Sequence, residues 1–339
     1  PGDLVRIHRQ AACIALHASL LGRVIDGMGE PIDGRGPLQK GIVYPLAGNV
    51  SNCMARPVIE EQLDVGIRCI NSLLPIGKGQ RMGIFAGSGV GKSTLLGMMA
   101  RYTTADVNVI ALIGERGREV NEFIEGELGA EGLEHSVVVV VTSDQPPTVR
   151  MRGAYIACAV AEFFRDQGKD VLLMMDSVTR FAMAAREVYL AAGEPPTTKG
   201  YTPSVFSHLP RLLERAGNFE KASITGIYSV LVEGGDMEDP IADSVRSILD
   251  GHIVLDRSLT QKRHYPAIDV LKSVSRLESR LHSEEDKILT SRLIRTLSHY
   301  RQSEDMIHIG AYVRGSHAET DYAMDMIEPI NDFLRQGVE

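Results

Sequence analysis

Lys92 and Ser93 close the run AGSGVGKS, residues 86–93, and carry the first chemistry the sequence offers. A short apolar stretch (Met82, Ile84, Phe85) precedes the run, and Thr94, Leu95, Leu96, Met98 and Met99 follow it at helical spacing. Strand, glycine-rich turn and helix in that order are the setting of a phosphate-binding loop. Gly87, Gly89 and Gly91, with Ser88 and Val90 between them, let the backbone curl so that successive N–H groups point at an anion. The helix start adds partial positive charge. In such a loop Lys92 reaches the β- and γ-phosphates, and the Ser93 hydroxyl is a ligand to Mg²⁺. Ala86 stands where the pattern usually has glycine, and a residue that small still fits. An accidental Gly-Lys-Ser in a tight turn is the bland alternative, and it loses to the flanking strand and helix. The run predicts a nucleoside triphosphate site spanning Gly87 to Thr94.

Phosphoryl transfer also needs carboxylates. VLLMMD, residues 171–176, is apolar until its last residue, and an aspartate ending a buried strand can hold Mg²⁺ through water. Alone, Asp176 reads better as the cap of a helix starting at Ser177. Beside a phosphate loop the metal role is preferred. GERGRE, residues 114–119, follows the apolar run Val107–Ile113, and a strand end next to the phosphate strand suits a carboxylate that orients or deprotonates the attacking water. Glu115 and Glu119 compete for that role with Arg116 and Arg118 between them, against the alternative of a solvated loop of paired charges. Position at the strand end favours Glu115. An arginine that spreads γ-phosphate charge is also required, and Arg276 in SVSR and Arg280 are candidates. Composition alone does not choose between them.

These residues must be positioned by an α/β framework. Buried strands are expected at Met82–Ala86, Val107–Ile113, Val137–Thr142, Val171–Asp176, Ser223–Val232 and His252–Leu255, alternating with helices. The alternation predicts a mostly parallel sheet covered on both faces. Residues 1–55 are punctuated by Gly and Pro, with turn signals at Asp26-Gly27 and Asp33-Gly34, and read as the end of a small β domain plus a linker. Residues 56–282 form the α/β domain, and 283–339 a small helical domain broken at Gly310 and Gly315. The chain opens at Pro1-Gly2-Asp3 without Met, as a fragment lacking an N-terminal part would.

At 339 residues, with 44% hydrophobic and 24% charged residues, the chain has material for two or three domains with ample cores. A formal charge of −8 and 5% aromatics with no Trp leave little for nucleic acid, so no nucleic-acid partner is expected. Cys13, Cys53, Cys69 and Cys158 form no CxxC pair and read as buried thiols of a reducing compartment. No apolar run approaches membrane-spanning length, and a cytoplasmic protein is expected.

AGSGVGKS, LIGERGREVNEF, VLLMMDSVTRFA, LAAGEPP, LPRLLERAG, DPIADSVRSILDGHIVL and HYPAIDVLKSVSR together resemble the ATPases of type III protein export, found in bacterial flagella and injectisomes. Those enzymes are relatives of the catalytic subunit of rotary ATP synthases. The resemblance runs from LLGRVIDGMGEPIDGRGPL to the C-terminal helices. It implies a RecA-like P-loop core preceded by the end of a small β-barrel, a homohexameric ring, and Mg²⁺-dependent ATP hydrolysis coupled to chaperone release, unfolding or delivery of substrates. Lys92 and Ser93 then match the phosphate and Mg²⁺ residues, Glu115 the general base, and Asp176 the metal-side aspartate. Arg116 and Arg180 fall on positions near the phosphates, and Arg276 on the finger supplied across the subunit interface. Tyr265 of HYPAID matches an aromatic that stacks on adenine, where the residues alone suggest a core tyrosine before a turn proline. Tyr312 in IGAYVRG is a candidate second wall.

The same resemblance implies a coiled-coil stalk protein, a regulator, export substrates and chaperones as partners. It also implies contact with the membrane export gate through the missing N-terminal region, at the inner membrane. GAYVRGSHAETDYAM leans toward the flagellar form, and Gly234-Gly235-Asp236 is a candidate pore-facing turn. A rotary catalytic subunit is the alternative, but its DELSEED-like acidic lever is missing: SEEDKI, residues 283–288, lies too early. A Rho-type translocase would need basic and aromatic RNA-binding residues that this chain lacks. A non-enzymatic nucleotide-binding module fits poorly with Lys92, Glu115 and Asp176 all intact.

Overall fold

Runs of alternating contacts explain why the strands are apolar throughout. In Val107–Glu115, Val109, Ala111 and Ile113 enter one hydrophobic cluster while Ile110 and Leu112 enter another. Val137, Val139 and Val141 likewise oppose Val138 and Val140, and Leu173 and Met175 oppose Leu172 and Met174. A strand buried on both faces needs no polar side. The computed structural model describes residues 12–48, 53–232 and 236–339. Its centre is a nine-stranded sheet in the order Val274–Ser275, Gly251–Leu255, Arg81–Ala86, Ser223–Leu231, Val171–Asp176, Val107–Glu115, Ser136–Thr142, Val24–Asp26, with Gly217–Asn218 paired to Ser223–Leu231. Every pairing is parallel except those of Val274–Ser275 and Gly217–Asn218, which are antiparallel.

Helices cover both faces. Pro147–Asp166, Val178–Ala191, Pro203–Leu213 and Pro240–Ile248 carry Ile156, Phe181, Leu209 and Val245 into the first cluster. Lys92–Tyr102 carries Leu96 and Met99 into the second. On that second face the helices Glu284–His308 and Ala318–Leu334 add Leu297, Ile330 and Leu334. This pair is separated by a turn holding Gly310 and Gly315, both at positive φ. Arg301 on the longer helix makes two hydrogen bonds of 2.9 Å to the buried Asp269 of the core, so charge as well as apolar area joins the pair to the sheet domain.

The segment before residue 56 divides in two. Cys13–Leu16 and Ile42–Pro45 form a separate antiparallel pair, in keeping with the end of a β domain. Val24–Asp26, by contrast, adds in parallel to Ser136–Thr142 as the edge strand of the main sheet. Ile25 is fully buried there, and Arg23 donates to Asp33 and the Gly36 carbonyl so that the turn folds back onto the edge. The proposed boundary near residue 55 therefore cuts through the sheet. Pro1-Gly2-Asp3 and the Gly234-Gly235 step of the candidate pore turn lie outside the described residues. Among the described residues no helix is long and apolar enough to cross a membrane.

Candidate nucleotide site

The site lies beyond the carboxyl ends of the parallel strands, where open α/β sheets bind ligands. Arg81–Ala86 delivers the loop, and Lys92 starts the following helix with Gly91 before it at φ 85°, a left-handed geometry that a side chain would strain. Val90 packs inward at 3% exposure while Ser88 and Gly89 face solvent, so the loop is anchored at one point and open elsewhere. Ser93 is exposed at the helix start beside Lys92. The Thr94 hydroxyl donates to Glu127 at 2.7 Å, on the π-helical turn Phe123–Leu128.

Asp176, the last residue of its strand, is 4% exposed. The Ser229 hydroxyl donates to it at 2.6 Å from the neighbouring strand, and the Lys92 ammonium pairs with the same carboxylate oxygen. Capping of the next helix falls to Ser177, whose hydroxyl accepts from Arg180 N at 3.2 Å, so Asp176 is not the cap. The peptide bond between Asp176 and Ser177 is cis.

Glu115 arrives by a route the sequence reading had wrong. Its strand is not next to the phosphate strand: Ser223–Leu231 and Val171–Asp176 lie between them. Leu112 pairs with Asp176, so the Glu115 strand runs three residues past its neighbour and overhangs the site. Gly114, at φ 75° beside a break in the pairing register, turns that overhang; a Cβ there would stand 2.9 Å from Arg180 Cβ. Glu115 ends 4.0 Å from the Lys92 ammonium, with Oε1 buried and without a hydrogen-bond partner among the described residues. Burial first, and the Asp176 charge second, push its carboxyl up to about 7, while Lys92 and Arg180 pull in the opposite direction. A carboxylate poised near neutrality with a free buried oxygen is suited to take a proton from water.

The remaining candidates separate into those at the site and those away from it. Arg180 flanks Glu115 with its Nε buried and unpaired among the described residues. Arg116 is mostly exposed and meets Glu119 at 3.4 Å. Tyr265, 48% exposed and joined to Pro266 by a cis peptide, lines a cavity of about 590 Å³ together with Val90, Gly91 and Thr94. Half exposure excludes a core tyrosine. Tyr312 does not line this cavity: it sits in the turn between the C-terminal helices, and its hydroxyl is 3.0 Å from both the His317 carbonyl and the Asp321 carboxylate. The segment Arg335–Val338 lines the cavity instead. Arg276 is exposed at the other end of the sheet, its Nη2 donating to the Arg246 carbonyl at 3.4 Å.

Ser229 and Gln336 were missed by the sequence reading. Ser229 had a signal, being a hydroxyl within an otherwise apolar strand; Gln336, in a polar tail, had none. Among the described residues no group of three or more His, Cys, Asp or Glu is placed to hold a metal by itself. Magnesium at a phosphate site needs no such cage, because phosphate oxygens and water complete its shell. The Ser93 hydroxyl and the Asp176 carboxylate are the fitting donors beside Lys92.

Comparison with known proteins agrees over the whole chain. The nucleotide-binding domain of the ATP synthase alpha/beta family matches residues 66–275, and the T3SS EscN ATPase C-terminal domain matches 282–339. A flagellum-specific ATP synthase of Bacillus subtilis is 56% identical over 341 residues, covering 100% of this chain and 77% of the relative. A type 3 secretion system ATPase of Xanthomonas euvesicatoria is 51% identical over 346 residues, covering 100% and 78%. The assembled ATPase EscN of the enteropathogenic E. coli type III secretion system superposes with a TM-score of 0.92 at 48% identity, over 96% of this chain and 79% of that one. EscN in complex with its central stalk EscO gives a TM-score of 0.91 at the same identity and coverage.

Proposed function

This chain belongs to the ATP synthase alpha/beta family, within the group of flagellar and type 3 secretion ATPases, and from that premise we propose that it hydrolyses Mg²⁺·ATP for type III protein export, flagellar export first. The observation that carries the reading is the convergence of Lys92, Asp176 and Glu115 at the strand ends beside the Tyr265 cavity.

Backbone N–H groups from Gly87 to Thr94 bind the phosphates, and Lys92 neutralises the γ-phosphoryl oxygens. Magnesium held by Ser93 and, through water, by Asp176 would supply further charge neutralisation. Ser229 fixes the Asp176 carboxylate by its 2.6 Å hydrogen bond. Glu115 orients the attacking water and takes its proton; Arg180 stabilises the carboxylate in the charged form that can accept it. Arg116, exposed and paired with Glu119, is the further arginine assigned to the phosphates. Tyr265 offers its exposed face to adenine.

Arg276 serves a neighbouring copy. Ser275 pairs with Gly251, the first residue of its strand, whereas Leu255 at the far end pairs with Ala86 beside the loop. Four residues of strand put roughly 13 Å between Arg276 and the loop of its own chain, beyond an arginine's reach. The likeness to assembled EscN supports a homohexamer, and the EscO complex supports a stalk protein entering the ring. Residues 56–282 act as the ATPase domain, with the edge strand Val24–Asp26 recruited from before it, and 283–339 as the helical domain. A regulator, export substrates, chaperones and the export gate complete the partners, at the cytoplasmic side of the inner membrane.

The test is Mg²⁺-dependent ATP hydrolysis by the purified chain. Lys92→Ala should lose nucleotide affinity and turnover together. Glu115→Gln should bind nucleotide normally and lose about two to four orders of magnitude in kcat. Turnover retained by Glu115→Gln would refute the base assignment, and turnover retained by Lys92→Ala would refute the site.

A further inference from the structure

We propose that Gln336 is a positioning residue: it fixes the place of Tyr265 and thereby ties the C-terminal helices to nucleotide affinity. The proposal rests on the reading of the Tyr265 cavity as the base-binding part of the nucleotide site.

The helix Ala318–Leu334 ends as Arg335 turns to extended backbone. The next residue, Gln336, bonds to two separated stretches at once, through three hydrogen bonds. Its main-chain N–H donates to the Tyr265 carbonyl at 2.9 Å. Its side-chain Oε1 accepts from Arg68 N at 2.8 Å, and its Nε2 donates to the Gly66 carbonyl at 2.8 Å. Both side-chain bonds answer a need. The helix Arg68–Leu73 has Ile67 before it, which offers no side-chain cap, so the Arg68 N–H is a free first-turn donor. Gly66 cannot adjust to compensate: its φ is 72°, and a Cβ there would lie 2.2 Å from Tyr102 Cβ. Beyond Gln336 the tail is held again, since the Val338 carbonyl accepts from Arg101 at 3.1 Å and from the Tyr102 hydroxyl at 3.2 Å.

The consequence concerns Tyr265. A ring 48% exposed takes its position mainly from its own backbone, and the Gln336 N–H grips that backbone at the carbonyl. Without the amide side chain, residue 336 keeps its main-chain hydrogen bond to Tyr265 and loses its two bonds to residues 66–68, while the tail stays held to the sheet domain further on, at Val338. Tyr265 and residue 336 bonded to it then drift together. No group that meets the phosphates or the water is altered, so the loss should fall on KM and spare kcat.

The experiment is a double-mutant cycle on MgADP affinity, read by titration calorimetry on the purified chain, with KM and kcat for ATP alongside. Tyr265→Ala and Gln336→Ala should each weaken binding about five- to tenfold, in line with one or two hydrogen bonds or one stacking face. The double variant should be no weaker than Tyr265→Ala alone, because Gln336 acts through that ring. Additive losses, or unchanged affinity in Gln336→Ala, would overturn the proposal. If Tyr265→Ala itself binds normally, the cavity reading falls first and the proposal with it. Should Gln336→Ala fold poorly, Gln336→Glu keeps the acceptor for Arg68 N while replacing the donor to Gly66 with a carboxylate oxygen that the Gly66 carbonyl repels. It should weaken binding in the same non-additive way, and an additive loss there is equally contrary.

Discussion

Glu115 is where the chemistry and the electrostatics meet. Its carboxyl is pushed up to about 7, first by burial and then by the Asp176 charge. A raised carboxyl pKa means that the proton is held at acidic and neutral pH, and a protonated Glu115 cannot accept another from water. The rate should therefore fall as pH drops through about 7 and level off above it. Since kcat/KM reports the free enzyme, its profile between pH 5.5 and 8.5 should show an acid limb of slope near one, absent from the residual activity of Glu115→Gln. A flat wild-type profile across that range would remove Glu115 from the role of base. The residue types at this site were legible in the sequence because phosphate chemistry restricts them so tightly: a glycine loop ending in Lys-Ser, an aspartate closing an apolar strand, a glutamate at another strand end. Ser229 and Gln336 were not, because one hydroxyl or one amide acquires its meaning only from what the fold sets against it.

Elements decide whether those residues meet. The strand positions were readable, since burial on both faces leaves an apolar run with no polar side. Their order was not. Crossover helices carry each strand past others, and nothing local to Val107–Glu115 says that two strands separate it from the phosphate strand. The overhang and the left-handed Gly114 replace adjacency as the means of delivering Glu115. Gly114→Ala should therefore damage catalysis more than binding. A misplacement of about 1 Å at a reacting group costs about a hundredfold in rate, so kcat should fall between ten- and a hundredfold with MgADP affinity nearly unchanged. Equal loss of both, or of neither, would mean that Gly114 does not set the position of Glu115. Val24–Asp26 was assigned to the small β domain for a related reason: three residues before a turn signal do not say which sheet edge they will join. Tyr312 was misplaced because its spacing from the helices could not reveal that the turn closes on itself through His317 and Asp321.

At the scale of the whole molecule, the proposed function leaves one chain without a complete site. Lys92, Glu115, Asp176 and Tyr265 gather at one end of the sheet, and Arg276 stands exposed at the other. In the homohexamer proposed above, the arginine of each copy would stand against the phosphates of the next, and hydrolysis should then require assembly. The C-terminal helices lie on the same face as the phosphate helix, so the Gln336 contact gives the ring a further route by which nucleotide and helical domain influence each other.

The decisive measurement is the specific ATPase rate of a mixture of Arg276→Ala and Glu115→Gln chains, taken across mixing ratios and protein concentrations. Either variant alone should be nearly inactive. Mixed, interfaces that pair an intact Glu115 with an intact Arg276 should recover a substantial fraction of wild-type activity. The recovered rate per chain should climb with concentration, as wild-type activity should. No recovery at any ratio, with both variants still assembling, would contradict a site shared between copies.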